Sequence, residues 1–224
     1  MKTVTTRAIV LRRTNYGEAD RILQLITPEG RRSVMARGVR REKSKLAGGI
    51  ELFAVSDVVI GQGKGDLGIL TSARLVQFYG RIMQDYDRMQ FAYVVIKEVA
   101  RASEMVDEPE WYDMLSEILM ALDSPTIPFL LTQTWFYVHH AALLGHDLNL
   151  SHDIDSDKLV ADGRYRYDIG EQGLRQLENG EITAEHIKLL RLVATKSLRV
   201  LAQVGGTQDV LKDCLQLARE HAAI

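Results

Sequence analysis

The spacing of apolar residues changes character near residue 80, and that change limits the folds open to this chain more than any other feature. Before it, short runs rich in Val, Ile, Leu and Thr cover Thr3 to Arg12, Ala19 to Thr27 and Arg32 to Val39. Turn signals at Asn15-Tyr16-Gly17 and Pro28-Glu29-Gly30 separate them. Two further runs, Leu52 to Ile60 and Leu67 to Leu75, flank Gly61-Gln62-Gly63-Lys64-Gly65-Asp66, a hairpin-loop composition. Five short strands with no helix-length pattern between them predict a small barrel of the OB type, because closure removes exposed sheet edges.

After residue 80 the period becomes helical. Asp87 to Glu104 repeats Phe91, Val94, Val95 and Val99, and Glu110 to Leu122 repeats Met114, Leu115, Ile118, Leu119 and Leu122. Pro125 and Pro128 lead into a helix over Phe129 to Leu144, which Gly145 stops. Glu181 to Val204 reads as one long amphipathic helix, with Thr183 as N-cap and Gly205-Gly206 at its end, and Gln208 to Ala223 as the last. Residues 146–180 are polar and irregular, with a hairpin expected at Leu159 to Ile169 around Asp162-Gly163. The expected class is therefore α+β: a five-stranded OB-type barrel over residues 1–80, then an all-α domain over 81–224 with an irregular insertion at about 146–180.

Several classes drop out. No run of 18 apolar residues is present to span a membrane, and MKTVTTRAIVLRR is a poor secretory signal. Cys214 is the only cysteine, which excludes an internal disulfide and a cysteine-built zinc site and points to a reducing cytoplasm.

The net charge of −2 conceals two unlike parts. Residues 1–80 hold 14 Lys and Arg against 7 Asp and Glu, and the remainder holds 14 against 23. The basic excess is densest from Arg31 to Lys45, where Arg31, Arg32, Arg37, Arg40, Arg41, Lys43 and Lys45 face one acid, Glu42. On a strand, Arg37, Val39 and Arg41 would share a face, and Gly38 would admit a close backbone. Such crowding is self-repulsive unless an anionic partner relieves it, and guanidinium groups match phosphate oxygens in charge and geometry. Arg12, Arg13, Arg21 and Arg74 extend the surface, Lys64 reaches from a loop tip, and Tyr16 offers a ring for stacking on a base. A solvated basic loop, or one gripping an acidic protein, is the alternative.

Tyr16-Gly17-Glu18-Ala19-Asp20, the stretch TPEGRRSVMARGVRREKSKLAGGIELF from Thr27 to Phe53, and Gly65-Asp66-Leu67 resemble the RecO family of DNA repair proteins. The likeness is dense over residues 7–75 and looser beyond. It implies an N-terminal OB-fold, a helical domain, binding of single- and double-stranded DNA, and annealing of complementary strands. It further implies partnership with RecR and single-stranded DNA-binding protein in loading recombinase during gap repair, at the nucleoid of a bacterial cytoplasm. Many relatives carry a four-cysteine zinc motif in the helical domain; residues 146–180 have no cysteine, so zinc is not expected, nor any other cofactor.

The remaining signals are weaker. His139, His140, His146 and His152 lack a metal-binding arrangement, since adjacent helical residues diverge by about 100°. Gly61 to Asp66 is no phosphate loop, because a strand pattern follows it. Trp111, Tyr112, Trp135, Phe136 and Tyr137 belong in helical cores. Lys188, Arg191 and Arg199 fall within about 80° on a continuous helix. The resemblance makes that stripe a candidate for the acidic, apolar-ended tail of single-stranded DNA-binding protein. The N-terminal acids are scattered, so neither a catalytic metal site nor a small-molecule substrate is expected. The expected function is that of a recombination mediator without an active site.

Overall fold

The structure, a computed structural model, describes residues 3–223, with the exposure of Gly63 and the side chain of Lys64 outside that description. Five strands form a closed barrel: β1 (Thr3–Tyr16), β2 (Asp20–Thr27), β3 (Gly30–Ala36), β4 (Ala54–Lys64) and β5 (Leu67–Phe78). Their order around the wall, β1-β2-β3-β5-β4, is that of an OB-fold. The long β1 serves two neighbours. Its first half pairs with β4, from Thr3 opposite Gly61 to Ile9 opposite Val55, and its second half pairs with β2, ending at Tyr16 opposite Asp20. Parallel pairing of β3 with β5, from Ser33 opposite Leu67 to Met35 opposite Ile69, closes the wall.

Ala8, Val10, Leu23, Leu25, Val34, Ala36, Val58 and Leu70 fill the barrel interior, joined by Val39 and Ile50 from the connection between β3 and β4. Each of the Val, Leu and Ile side chains contributes roughly 1.5–3 kcal/mol by leaving water. In β1, however, Ala8, Ile9, Val10 and Leu11 are all buried, so simple alternation fails there. The outer wall is covered by α1 (Tyr86–Met105) and α2 (Glu110–Asp123), which pack on the barrel's strands. The register slips between Val10 and Arg12, a bulge at Leu11. Ala47–Gly49 form a 3-10 turn lying on β5, where a Cβ at Gly49 would collide with the Ala73 carbonyl.

Asp85 caps α1 by accepting the Arg88 N–H at 3.1 Å, and the fully buried Trp111 of α2 donates its indole N–H to the Val106 carbonyl at 2.9 Å. By packing, the chain forms two compact units, Met1–Asp123 and Ser124–Ile224. Residue 80 thus marks where strands give way to helices, while α1 and α2 pack with the barrel.

The second unit is built on α3 (Phe129–Leu143), whose buried residues lie on nearly every side because α4 and α6 pack against it. The single helix expected over Glu181 to Val204 is two: α4 (Ala184–Thr195) and the short α5 (Leu198–Leu201), followed by α6 (Gln208–Ala222). Lys196 and Ser197 take extended backbone between them, and the Lys196 carbonyl accepts the Trp135 indole N–H at 2.9 Å. Neither glycine nor proline marks that break. The segment 146–180 does carry a hairpin, of β6 (Tyr165–Asp168) with β7 (Gly173–Gln176). Its turn lies beyond Asp168, so Asp162-Gly163 precedes the hairpin instead of closing it. Asp168 holds that turn: the Glu171 backbone N–H and the Arg175 guanidinium keep its carboxyl below the usual range. Among the described residues no helix is long and apolar enough to cross a membrane.

Cys214 is buried in α6, and burial pushes its thiol up to about 12, leaving it unreactive. His221, also buried on α6, meets the His146 carbonyl through Nε2 and the Tyr167 hydroxyl through Nδ1, both at 2.8 Å. A carbonyl only accepts, so Nε2 carries the proton and Nδ1 accepts from Tyr167, whose hydroxyl burial pushes up to about 12. Burial also lowers the His221 pKa, outweighing the opposing pulls of the His146 carbonyl and Asp147. A proton on Nδ1 would face the Tyr167 hydroxyl donor to donor. The unfolded chain, near pH 6.5, therefore takes this proton before the folded chain does. Thermal stability is expected to be complete above that pH and to fall as the pH drops through it. Melts between pH 8 and 5 check this, and a His221→Gln chain should give a flatter profile.

Candidate nucleic-acid interface

The basic segment does not continue β3. That strand ends at Ala36, and residues 37–46 run as successive turns. Gly38 imposes the change, with a φ of 63° that other residues reach only under strain. The strand face expected for Arg37, Val39 and Arg41 is replaced by a pinned loop. Val39 turns inward and is buried in the barrel, while Arg37, Arg40, Arg41, Lys43 and Lys45 point to solvent.

Hydrogen bonds tie this loop to the β1–β2 turn. Gly38 N–H donates to Asp20 Oδ1 at 2.7 Å, Arg40 N–H to the Ala19 carbonyl at 2.9 Å, and the Arg40 guanidinium to the Gly17 carbonyl at 3.2 Å. Arg41 N–H to Gly38 and Ser44 N–H to Arg41 continue the turns. Tyr16, paired with Asp20 at the end of the same hairpin, is 55% exposed. Five cations and one open aromatic ring thus occupy one end of the barrel. Among the described residues none of the five forms an ion pair.

The other arginines singled out from the sequence are placed differently. Arg31 pairs with Glu104 at 2.7 Å, and its backbone N–H meets Asp107. Arg13 pairs with Glu51 at 3.1 Å, and Arg74 with Asp57 at 2.9 Å. Arg32 turns toward the carbonyls of Glu29 and Arg31, and Arg21 donates to Asn15 Oδ1 at 3.1 Å. Arg12 is exposed on β1, with no ion pair among the described residues. The Lys64 side chain lies outside the described residues. Exposed pairs are worth at most about 1 kcal/mol, so Arg74 can exchange its carboxylate for a phosphate, but starts from a neutralised state.

In the second unit the helix break separates the expected stripe. Lys188 pairs with Glu185 at 2.9 Å and Arg191 donates to the Leu150 carbonyl, both on α4, whereas Arg199 stands on α5. The three do not share one helix face. The histidines are dispersed as well: His139 meets the Val193 carbonyl at 2.9 Å and stacks on Trp135 at 3.8 Å, and His140 lies beside Phe136. No group of three or more metal-capable side chains gathers among the described residues.

Sequence reading missed Asp20 as the anchor of the basic loop, although it closes the Tyr16-Gly17-Glu18-Ala19-Asp20 motif. It also missed His186, which caps α4 by accepting the Thr183 N–H through Nδ1 at 3.2 Å.

Comparison with known proteins gives a consistent result over the whole chain. Residues 1–79 match the family model of the recombination protein O N-terminal domain, and residues 83–222 that of its C-terminal domain. A DNA repair protein RecO of Dehalococcoides mccartyi is 30% identical over 222 residues, covering 95% of this chain and 86% of the relative. One from Roseiflexus is 36% identical over 120 residues, 53% of this chain and 42% of the relative. Another, from Synechococcus elongatus, is 36% identical over 140 residues, 60% of this chain and 52% of the relative.

Proposed function

The chain belongs to the recombination protein O family of DNA repair and recombination proteins, and on that premise we propose that it is a mediator that works by holding DNA, without chemistry of its own. The observation that carries this reading is the pinned loop with Arg37, Arg40, Arg41, Lys43 and Lys45 exposed, unneutralised among the described residues and adjacent to Tyr16. A fixed cluster of cations suits a phosphate backbone and carries no base information, so binding is to single and double strands without sequence preference. Annealing follows from neutralising two backbones that otherwise repel. Arg12, Arg13, Arg31, Arg32, Arg74 and Lys64 are carried as flanking contacts.

RecR and single-stranded DNA-binding protein are the protein partners that family membership supports, in loading recombinase on coated single strands. For the tail of the latter, Lys188, Arg191 and Arg199 remain the proposed receiving residues. Arg199 has the best standing, because it is exposed beside the half-exposed Val200.

The test is an electrophoretic shift of the full chain on single- and double-stranded oligonucleotides over a range of salt. Log affinity should fall linearly with log salt, by about 0.7 per phosphate contact for single strands and about 0.9 for duplex. Absence of a salt-dependent shift, with capture of polyglutamate instead, would favour an acidic protein as the loop's ligand.

A further inference from the structure

We propose that the groove between the β1–β2 wall and α1 is a second seat for single-stranded nucleic acid, holding one unstacked base and its flanking phosphates. This rests on the nucleic-acid reading above and extends it to a groove of which the sequence singled out Arg12 alone. The groove encloses about 570 Å³, within the range of small-ligand sites. Leu11, Leu52 and Ile96 line it, with Tyr93 beside them and Arg12 and Lys97 also on its walls.

Three observations fit a nucleotide. The Tyr93 ring packs edge-on against Phe53, with centroids 5.0 Å apart and planes at 63°, yet stays 47% exposed, so it is held in place with surface open. Flat apolar surface of this kind accepts any base by stacking. The charges also sort by sign. Arg101 is held by Glu98 at 3.0 Å and the acid at the groove, Glu104, by Arg31 at 2.7 Å. Arg12 and Lys97 have no ion pair among the described residues, which leaves the groove positive.

Continuity supplies the third. Arg12 lies opposite Gln24 on the same hairpin that ends with Tyr16 opposite Asp20, four residues farther along β1. At about 3.3 Å per residue that is about 13 Å, a reach of a few nucleotides from the basic loop. The Leu11 bulge sits at this point of the wall. An acidic peptide with apolar side chains would satisfy the floor and the cations. The open aromatic ring and the Gln24 amide, able to meet a base edge, favour the nucleotide.

Stacking requires a free base, so the groove should discriminate between single strands and duplex. The experiment measures binding of the full chain to oligothymidylates of increasing length and to a duplex, by fluorescence anisotropy. Tyr93→Ala should weaken single-strand binding on the order of tenfold, the loss expected for one unstacked base, and leave duplex binding nearly unchanged. Tyr93→Phe should restore it, because the ring and not the hydroxyl stacks, and unchanged duplex binding in Tyr93→Ala separates lost stacking from a general loss of packing on Phe53. Lys97→Gln should lower the single-strand salt slope by about 0.7, and both lesions should shorten the length at which affinity stops rising. Equal losses on single strands and duplex, unchanged single-strand binding in Tyr93→Ala, or displacement of an acidic peptide but not of oligothymidylate by groove lesions would each overturn the proposal. Wild-type chain that binds no oligonucleotide would sink the parent reading; binding sensitive to the loop but not to the groove would sink this one alone.

Discussion

A chain carrying Arg37→Gln, Arg40→Gln, Arg41→Gln and Lys43→Gln together should lose about 2.8 from the slope of log affinity against log salt on single strands. The figure is four phosphate contacts at about 0.7 each, and by counterion release alone it corresponds to affinity on the order of 100-fold weaker at 0.2 M salt. So large an effect is expected of these positions because their charge is not already spent. Arg74, which pairs with Asp57 at 2.9 Å, should change the slope less when replaced by Gln. The fold should survive, since all four side chains are exposed and only Arg40 is tied, through its guanidinium, to Gly17. Fluorescence titration across a salt series reads the result. An unchanged slope would remove the loop from the interface.

Asp20→Ala should weaken DNA binding several-fold, although it deletes a negative charge from the most basic end of the molecule. Electrostatics alone demands the opposite, because an acid beside a phosphate site repels it. The reason is Asp20 Oδ1, which accepts the Gly38 N–H at 2.7 Å where the chain adopts its left-handed turn. A hydrogen bond to a charged group is worth about 1.5–3 kcal/mol, and its loss lets the loop sample geometries in which the cations no longer act together. Asp20→Asn keeps an acceptor and drops the charge, so it should bind as tightly as the parent or tighter. Tighter binding by Asp20→Ala would show that the loop needs no anchor.

The sequence was informative where one local signal decided one local structure. Gly17 and Gly30, both at positive φ, mark the turns that bound β2, and the Leu23 and Leu25 alternation marks its inner face. It was uninformative where tertiary partners overrode local preference. Arg32 to Val39 looks continuous as a strand, yet the chain bends away at Gly38, where Asp20 accepts the Gly38 N–H and the Ala19 carbonyl that of Arg40. Glu181 to Val204 keeps a helical period across Lys196, whose carbonyl is claimed by Trp135 from another helix. The arginines were countable, but which of them are neutralised depends on Glu51, Asp57 and Glu104, each distant in sequence from its partner. Tyr93 carried no signal, since on a helix an exposed tyrosine looks like any surface residue.

The packing of α1 and α2 on the outer wall determines where the chain can be cut. A fragment stopped at residue 80, where the strands end, would bare the side of β1 that carries Ile9 and Leu11 and leave Arg31 without Glu104. Such a piece is a candidate for aggregation, and a negative binding result from it would be uninterpretable. A boundary after Asp123 retains both helices and the groove wall, and is the smallest N-terminal portion worth expressing.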